Sequence, residues 1–231
     1  TLVTGDIFNQ VAPGGVGKGG NIDITARNLS LTNGAQLGAS TFGQGDAGNV
    51  KITATGDIFV DGGQGNLRSG ALSTVESGGV GKGGNIDITA QNLSLTNAGQ
   101  LLAVTRGKGD AGNVTVKVSG DIDIAGIKDG FGSGIFSYVD PGVIGNGGNI
   151  NVTAGSFSLR DGTKLEASTS GQGNAGNIDI TTTGNLTISG TQDSTLLQQP
   201  DGVARSKINS STFGQGNAGK ITINTGGKLS V

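Results

Sequence analysis

The chain has 231 residues, 47 of them glycine and three proline, a net charge of −2, and neither cysteine nor histidine. Glycine at about three times its usual share, without a Gly-X-Y period, excludes collagen. The near-neutral charge without a basic cluster argues against nucleic acid, no apolar run is long enough to span a membrane, and disulfide or thiol chemistry is absent.

Hydrophobic residues make up 33% and aromatics 3%, too few for a conventional globular core. Yet Ile, Val and Leu alternate strictly in short runs, which disordered chains lack. No signal peptide opens the chain and it begins in mid-pattern, as expected of a fragment.

In chain order, GGNIDITA at 19–26 returns at 83–90 and, as GGNINVTA, at 147–154. The asparagines Asn21, Asn85 and Asn149 are therefore 64 residues apart, and so are Asn49, Asn113 and Asn177 of a second anchor, AGN. The two anchors resemble each other, so each unit holds a coil of 28 and a coil of 36 residues. Full coils are expected at 21–48, 49–84, 85–112, 113–148, 149–176 and 177–219, with partial coils at both ends.

Each coil predicts three short strands. In the first coil Ile22 and Ile24 alternate with Asp23 and Thr25, Leu29 and Leu31 flank Ser30, and Leu37 and Ala39 precede the turn. Such alternation marks a strand with one buried face. From coil to coil the first strand stacks Ile22, Val50, Ile86, Val114, Ile150, Ile178 and Ile221 in one column. A second column holds Ile24, Ile52, Ile88, Val116, Val152, Ile180 and Ile223. Columns of β-branched residues suit parallel pairing, and parallel crossovers are right-handed. The expected fold is all-β, a right-handed parallel β-helix (β-solenoid) roughly 35 Å long.

Two turn positions are glycine in all seven copies: Gly17, Gly45, Gly81, Gly109, Gly145, Gly173 and Gly216, and Gly20, Gly48, Gly84, Gly112, Gly148, Gly176 and Gly219. Positive φ or close backbone stacking is the expected reason.

Several motifs invite a functional reading. GGVGKGG at 14–20 suggests a phosphate loop, but Gly19 follows Lys18 where Ser or Thr is needed, and no helix follows. FGQGDAGNV at 42–50 resembles a calcium-binding nonapeptide. Its aspartate column, however, reads Lys18, Asp46, Lys82, Asp110, Asn146, Asn174 and Asn217, which predicts a charge-compensated ladder. The anchor asparagines predict an internal amide ladder that ends before the last partial coil, at Lys220.

For catalysis only carboxylates remain. Asp23 and Asp87 point outward two coils apart, about 9.6 Å, near the spacing of an inverting glycosidase pair. Lys51 between them is the natural ion partner of both, so the arrangement reads as a salt-bridge ladder. No catalytic, metal-binding or cofactor residue is assigned. Insertions after the second strand, at 63–70, 127–134 and around 191–206, are where ligand-binding loops are expected. They carry or adjoin the candidates Phe131, Phe136, Tyr138, Leu196 and Leu197.

The repeats GGNIDITARNLSLTNGAQLGASTFGQGDAGNV and GGNIDITAQNLSLTNAGQLLAVTRGKGDAGNV resemble the passenger repeats of filamentous haemagglutinin-like exoproteins, most of all the large cyanobacterial members with two-partner secretion. The resemblance covers residues 14–231. It implies an extracellular or cell-surface rod carried through the outer membrane by a dedicated transporter. The expected role is a non-catalytic stalk of an adhesin-like protein whose partners would be surface polysaccharide or a cell-surface receptor, with end-to-end self-association as a further expectation. The alternative is a polysaccharide-binding or polysaccharide-cleaving β-helix.

Overall fold

The structure, a computed structural model, describes residues 2–3, 5–62, 68–193 and 203–231. Three parallel sheets run the length of the chain, with seven, eight and seven strands, and successive coils add one strand to each. The chain is a parallel β-helix with three strands per coil.

The first sheet begins with Ile22–Ala26 and Val50–Ala54 and ends with Ile221–Thr225. Its register pairs Ile22 with Val50, Val50 with Ile86, Ile86 with Val114, and so on to Ile178 with Ile221. The same pairings align the second column from Ile24 to Ile223, so both expected columns form. Ile52, Ile88, Val116, Val152 and Ile180 are buried, whereas Ile24 and Ile223 pack against the core but are only partly covered. The second sheet brings Leu29, Ile58, Leu93, Ile122, Phe157 and Leu186 into one inward column. The third sheet contributes Leu37, Ala71, Leu101, Ile135, Leu165 and Ile208. Side chains from three directions fill the interior, Phe157 being the one aromatic among these columns.

Both glycine columns are constrained by stacking, and one by backbone conformation as well. Gly45, Gly109 and Gly173 take positive φ of 134°, 134° and 148°, a region L side chains rarely adopt, and a Cβ on each would also fall on the carbonyl oxygen of Gly17, Gly81 or Gly145. Gly48, Gly84, Gly112, Gly148, Gly176 and Gly219 are limited by stacking alone. A Cβ on each would fall on the carbonyl oxygen of the equivalent glycine one coil earlier.

Beyond the third sheet, an inward corner column alternates Thr41, Val75, Thr105, Val139 and Thr169 in parallel bridges. The Thr41 and Thr105 hydroxyls are buried without a hydrogen-bond partner, while Val75 and Val139 occupy the same position. Thr105→Val keeps the shape and removes the unpaired hydroxyl. It is expected to stabilise the fold by about 1 kcal/mol, read as a higher denaturation midpoint at unchanged slope.

The insertions leave the solenoid between the second and third strands. Ile127–Lys128 pairs antiparallel with Phe131–Gly132, and Thr191–Asp193 with Val203–Arg205. Gln192 joins the two hairpins: its Oε1 accepts from the Ile127 N–H at 2.8 Å and its Nε2 donates to the Ile127 carbonyl at 3.0 Å. These small antiparallel sheets stand beside the third sheet and build a wall along it. No helix among the described residues is long and apolar enough to cross a membrane.

Candidate functional site

The turn face carries the motifs that looked most like chemistry, and its polar groups are engaged internally. In GGVGKGG the N–H groups of Gly17 and Gly19 donate to the carbonyls of Gln44 and Asp46 in the next coil, at 2.9 and 2.8 Å. Those donors are therefore not turned toward a phosphate.

The expected asparagine ladder forms. Asn21 Oδ1 accepts from the Asn49 N–H at 2.9 Å, Asn85 Oδ1 from the Asn113 N–H at 2.9 Å, and Asn149 Oδ1 from the Asn177 N–H at 2.8 Å. It closes at Lys220, whose N–H donates to Asn177 Oδ1 at 2.8 Å and whose own side chain has no acceptor to continue it.

The neighbouring Lys/Asp column is not the charge-compensated ladder its alternation suggests. Asp46 Oδ1 accepts the Lys82 backbone N–H at 2.8 Å, and Asp110 Oδ1 accepts the Asn146 N–H at 2.9 Å. A short Asx side chain reaches the N–H stacked above it and satisfies a turn donor, which a lysine ammonium cannot do.

The salt bridges expected around Lys51 are absent too. Lys51 is in register between Asp23 and Asp87. Yet the ion pairs among the described residues are Arg106 with Glu76 and Asp140, at 2.9 and 3.8 Å, and Arg160 with Asp123 and Asp161, at 2.8 and 2.9 Å. Lys51 and Asp23 are exposed, and holding flexible exposed side chains together gains little over hydration. Asp23 and Asp87 keep the spacing of two coils. Among the described residues no three His, Cys, Asp or Glu side chains gather as a metal site would need.

Convergence occurs instead on the outer face of the third sheet. A pocket of about 220 Å³ is lined by Arg68, Gln100, Leu102, Phe131, Phe136, Tyr138, Lys164 and three glycines. Three of the sequence candidates, Phe131, Phe136 and Tyr138, meet here; Leu196 and Leu197 lie outside the described residues.

Register explains the floor. Gln100, Gly134 and Lys164 share one outward column, and Leu102, Phe136 and Glu166 the next. Gly134 between the two polar residues gives room to the Phe136 ring, on which a Cβ at this position would fall. Phe136 packs with Leu102 and Val104 in a second apolar cluster, separate from the interior. Tyr138 meets the Phe136 ring edge-on, at 6.3 Å between centroids and 87° between planes.

The wall comes from the insertions. The Arg68 guanidinium lies 4.7 Å from the centre of the Phe131 ring, a cation–π contact. Gln100 braces both sides: its Oε1 accepts from Arg68 Nη1 at 3.4 Å and its Nε2 donates to the Gly132 carbonyl at 2.7 Å. Arg68, Gln100 and Lys164 were not among the sequence candidates. Gln100 and Lys164 lie in the outward column of the third strand, whereas Arg68 stands on an insertion that carries no periodic signal.

The pocket is electropositive at a cost. Burial, and then the charge of Lys207, push the Lys164 ammonium below its ordinary value, with Glu166 opposing. Burial, and then Arg106, likewise push Arg68 down. The Tyr138 phenol is pushed up by burial, with Arg106 opposing. Glu166 is occupied elsewhere, accepting from Ser168 Oγ at 2.7 Å and Asn209 Nδ2 at 3.4 Å.

Lys164→Gln is therefore expected to raise the melting temperature at neutral pH. The folded pKa of Lys164 lies below the unfolded one, so between the two the unfolded chain binds more protons and stability rises with pH. The penalty is complete below the folded pKa and gone above the ordinary value of 10.5. Melting curves of wild type and variant should converge as the pH passes that value.

Comparison with models of known families, with curated proteins and with solved structures finds no match.

Proposed function

We propose that the chain is a rigid, non-catalytic rod segment of a secreted, surface-exposed adhesin-like protein, of the filamentous haemagglutinin type that its repeats resemble. The observation that carries this reading is the register. All three sheets continue from coil to coil without a slip, and insertions are confined to one corner. A stack whose units touch only their neighbours converts repeat number directly into length, which suits a spacer holding other parts of a protein away from a surface. The absence of cysteine is compatible with export in an unfolded state.

Labelling intact producing cells with antibody against this segment tests the reading. Signal before permeabilisation is expected; signal only after lysis would overturn surface exposure. For the non-catalytic part, no hydrolase or lyase activity is expected on neutral or acidic polysaccharides. Activity lost in Asp87→Asn but kept in Lys51→Ala would overturn it.

A further inference from the structure

We propose that the pocket on the outer face of the third sheet is a binding site for an acidic oligosaccharide, taking one uronate ring in the hollow lined by Phe131 and Tyr138 with its carboxylate toward the cations Arg68 and Lys164. This inference stands independently of the rod reading, because it rests on the pocket alone.

Aromatic residues are the first argument. The chain has seven Phe and one Tyr, and three of these eight meet in this one hollow. Arg68 caps one face of Phe131; the remaining aromatic surface of the hollow supplies apolar contact to the C–H groups of a sugar ring, and the tyrosine hydroxyl a polar contact at the edge.

Charge is the second argument. Two cations line a pocket in a chain of net charge −2. Among the described residues no carboxylate lies within 4.0 Å of either. Both are partly buried, and the fold holds Lys164 there against its own hydration. An anionic partner would remove that penalty by giving the two cations a counter-charge.

Size and shape narrow the class. About 220 Å³ falls below the roughly 300–1,000 Å³ of drug-sized sites, which leaves room for one ring of a longer chain. Lys207 neighbours Lys164 in register along the rod, so positive charge recurs at the strand spacing of about 4.8 Å. A polymer bearing a carboxylate on each unit can follow that column.

Other anions fit less well. A small inorganic anion would meet the same two cations but leave the aromatic lining unused, and the Gly162 N–H, which donates to Ser206 Oγ at 3.0 Å, offers it no backbone donor. An acidic peptide adding as a strand needs an open sheet edge, and here the strands are paired on both sides.

Calorimetric titration of the 231-residue protein with tetragalacturonate tests the proposal, with maltotetraose as the neutral ligand and tetraglutamate as the charged non-sugar. Binding to tetragalacturonate is expected, weakened about tenfold by each of Lys164→Gln, Arg68→Gln and Phe131→Ala, and much weaker binding to the other two. Lys164→Gln guards against misfolding as the cause, since it is expected to melt no lower than wild type. No binding of tetragalacturonate, binding indifferent to Lys164→Gln, or equal affinity for tetraglutamate would each overturn the proposal. Equal affinity for maltotetraose would overturn the role of charge.

Discussion

Replacing Ile88 with Asp is expected to abolish folding of the central coils. Ile88 is 1% exposed, and its register neighbours are Ile52 on one side and Val116 on the other. A carboxylate there would face apolar side chains from all three sheets, with no donor within the interior to meet it. An unpaired buried charge costs at least about 4–5 kcal/mol, against a net stability of about 5–15 kcal/mol for a typical domain. The interior of a solenoid has no route by which one side chain can turn outward without slipping a strand by one residue, which would expose the whole face. Asp87→Asn, one position away and outward, is the matched control and should melt within a few degrees of wild type. Soluble expression and a wild-type melting curve for Ile88→Asp would show that this column does not form the core.

Gly112→Ala is expected to destabilise by about 1–3 kcal/mol or more, through a single methyl group. The new Cβ would fall on the Gly84 carbonyl oxygen, a backbone atom fixed in the same stacked turn. The Gly112 carbonyl also accepts from the buried Ser137 hydroxyl at 2.8 Å, so moving the turn to make room breaks a second contact. The melting temperature should fall by roughly 3–10 °C. Gly5→Ala, where nothing lies within 4 Å of the added carbon, should leave it unchanged. If both substitutions behave alike, stacking does not explain why glycine fills this column.

The outcome at the turn face shows where residue type misleads. Lysine and aspartate alternating in a column suggest mutual neutralisation, but Asp46 and Asp110 bond to backbone N–H groups one coil on. The Asp23–Lys51–Asp87 column has the right register and no ion pair. Register determines which residues are neighbours; whether two exposed charges close on each other depends on rotamers and hydration, which a sequence column does not contain.

By itself the sequence determined the three-strand coil, its repeat, and the register and two inward columns of the first sheet. The physical reason is that a solenoid repeats its contacts. Each coil packs only on its neighbours, so the pattern that builds one coil also reports how it stacks on the next. The paired glycine positions were legible for the same reason, though only the structure shows that Gly45 combines positive φ with stacking whereas Gly48 is held by stacking alone. Tertiary structure alone decided the pocket. Arg68, Gln100, Phe131 and Lys164 belong to four successive coils, and Arg68 and Phe131 stand on insertions that follow no period. Their convergence depends on how the Ile127–Gly132 hairpin folds back over the third sheet, a non-repeating contact that no column of the sequence encodes.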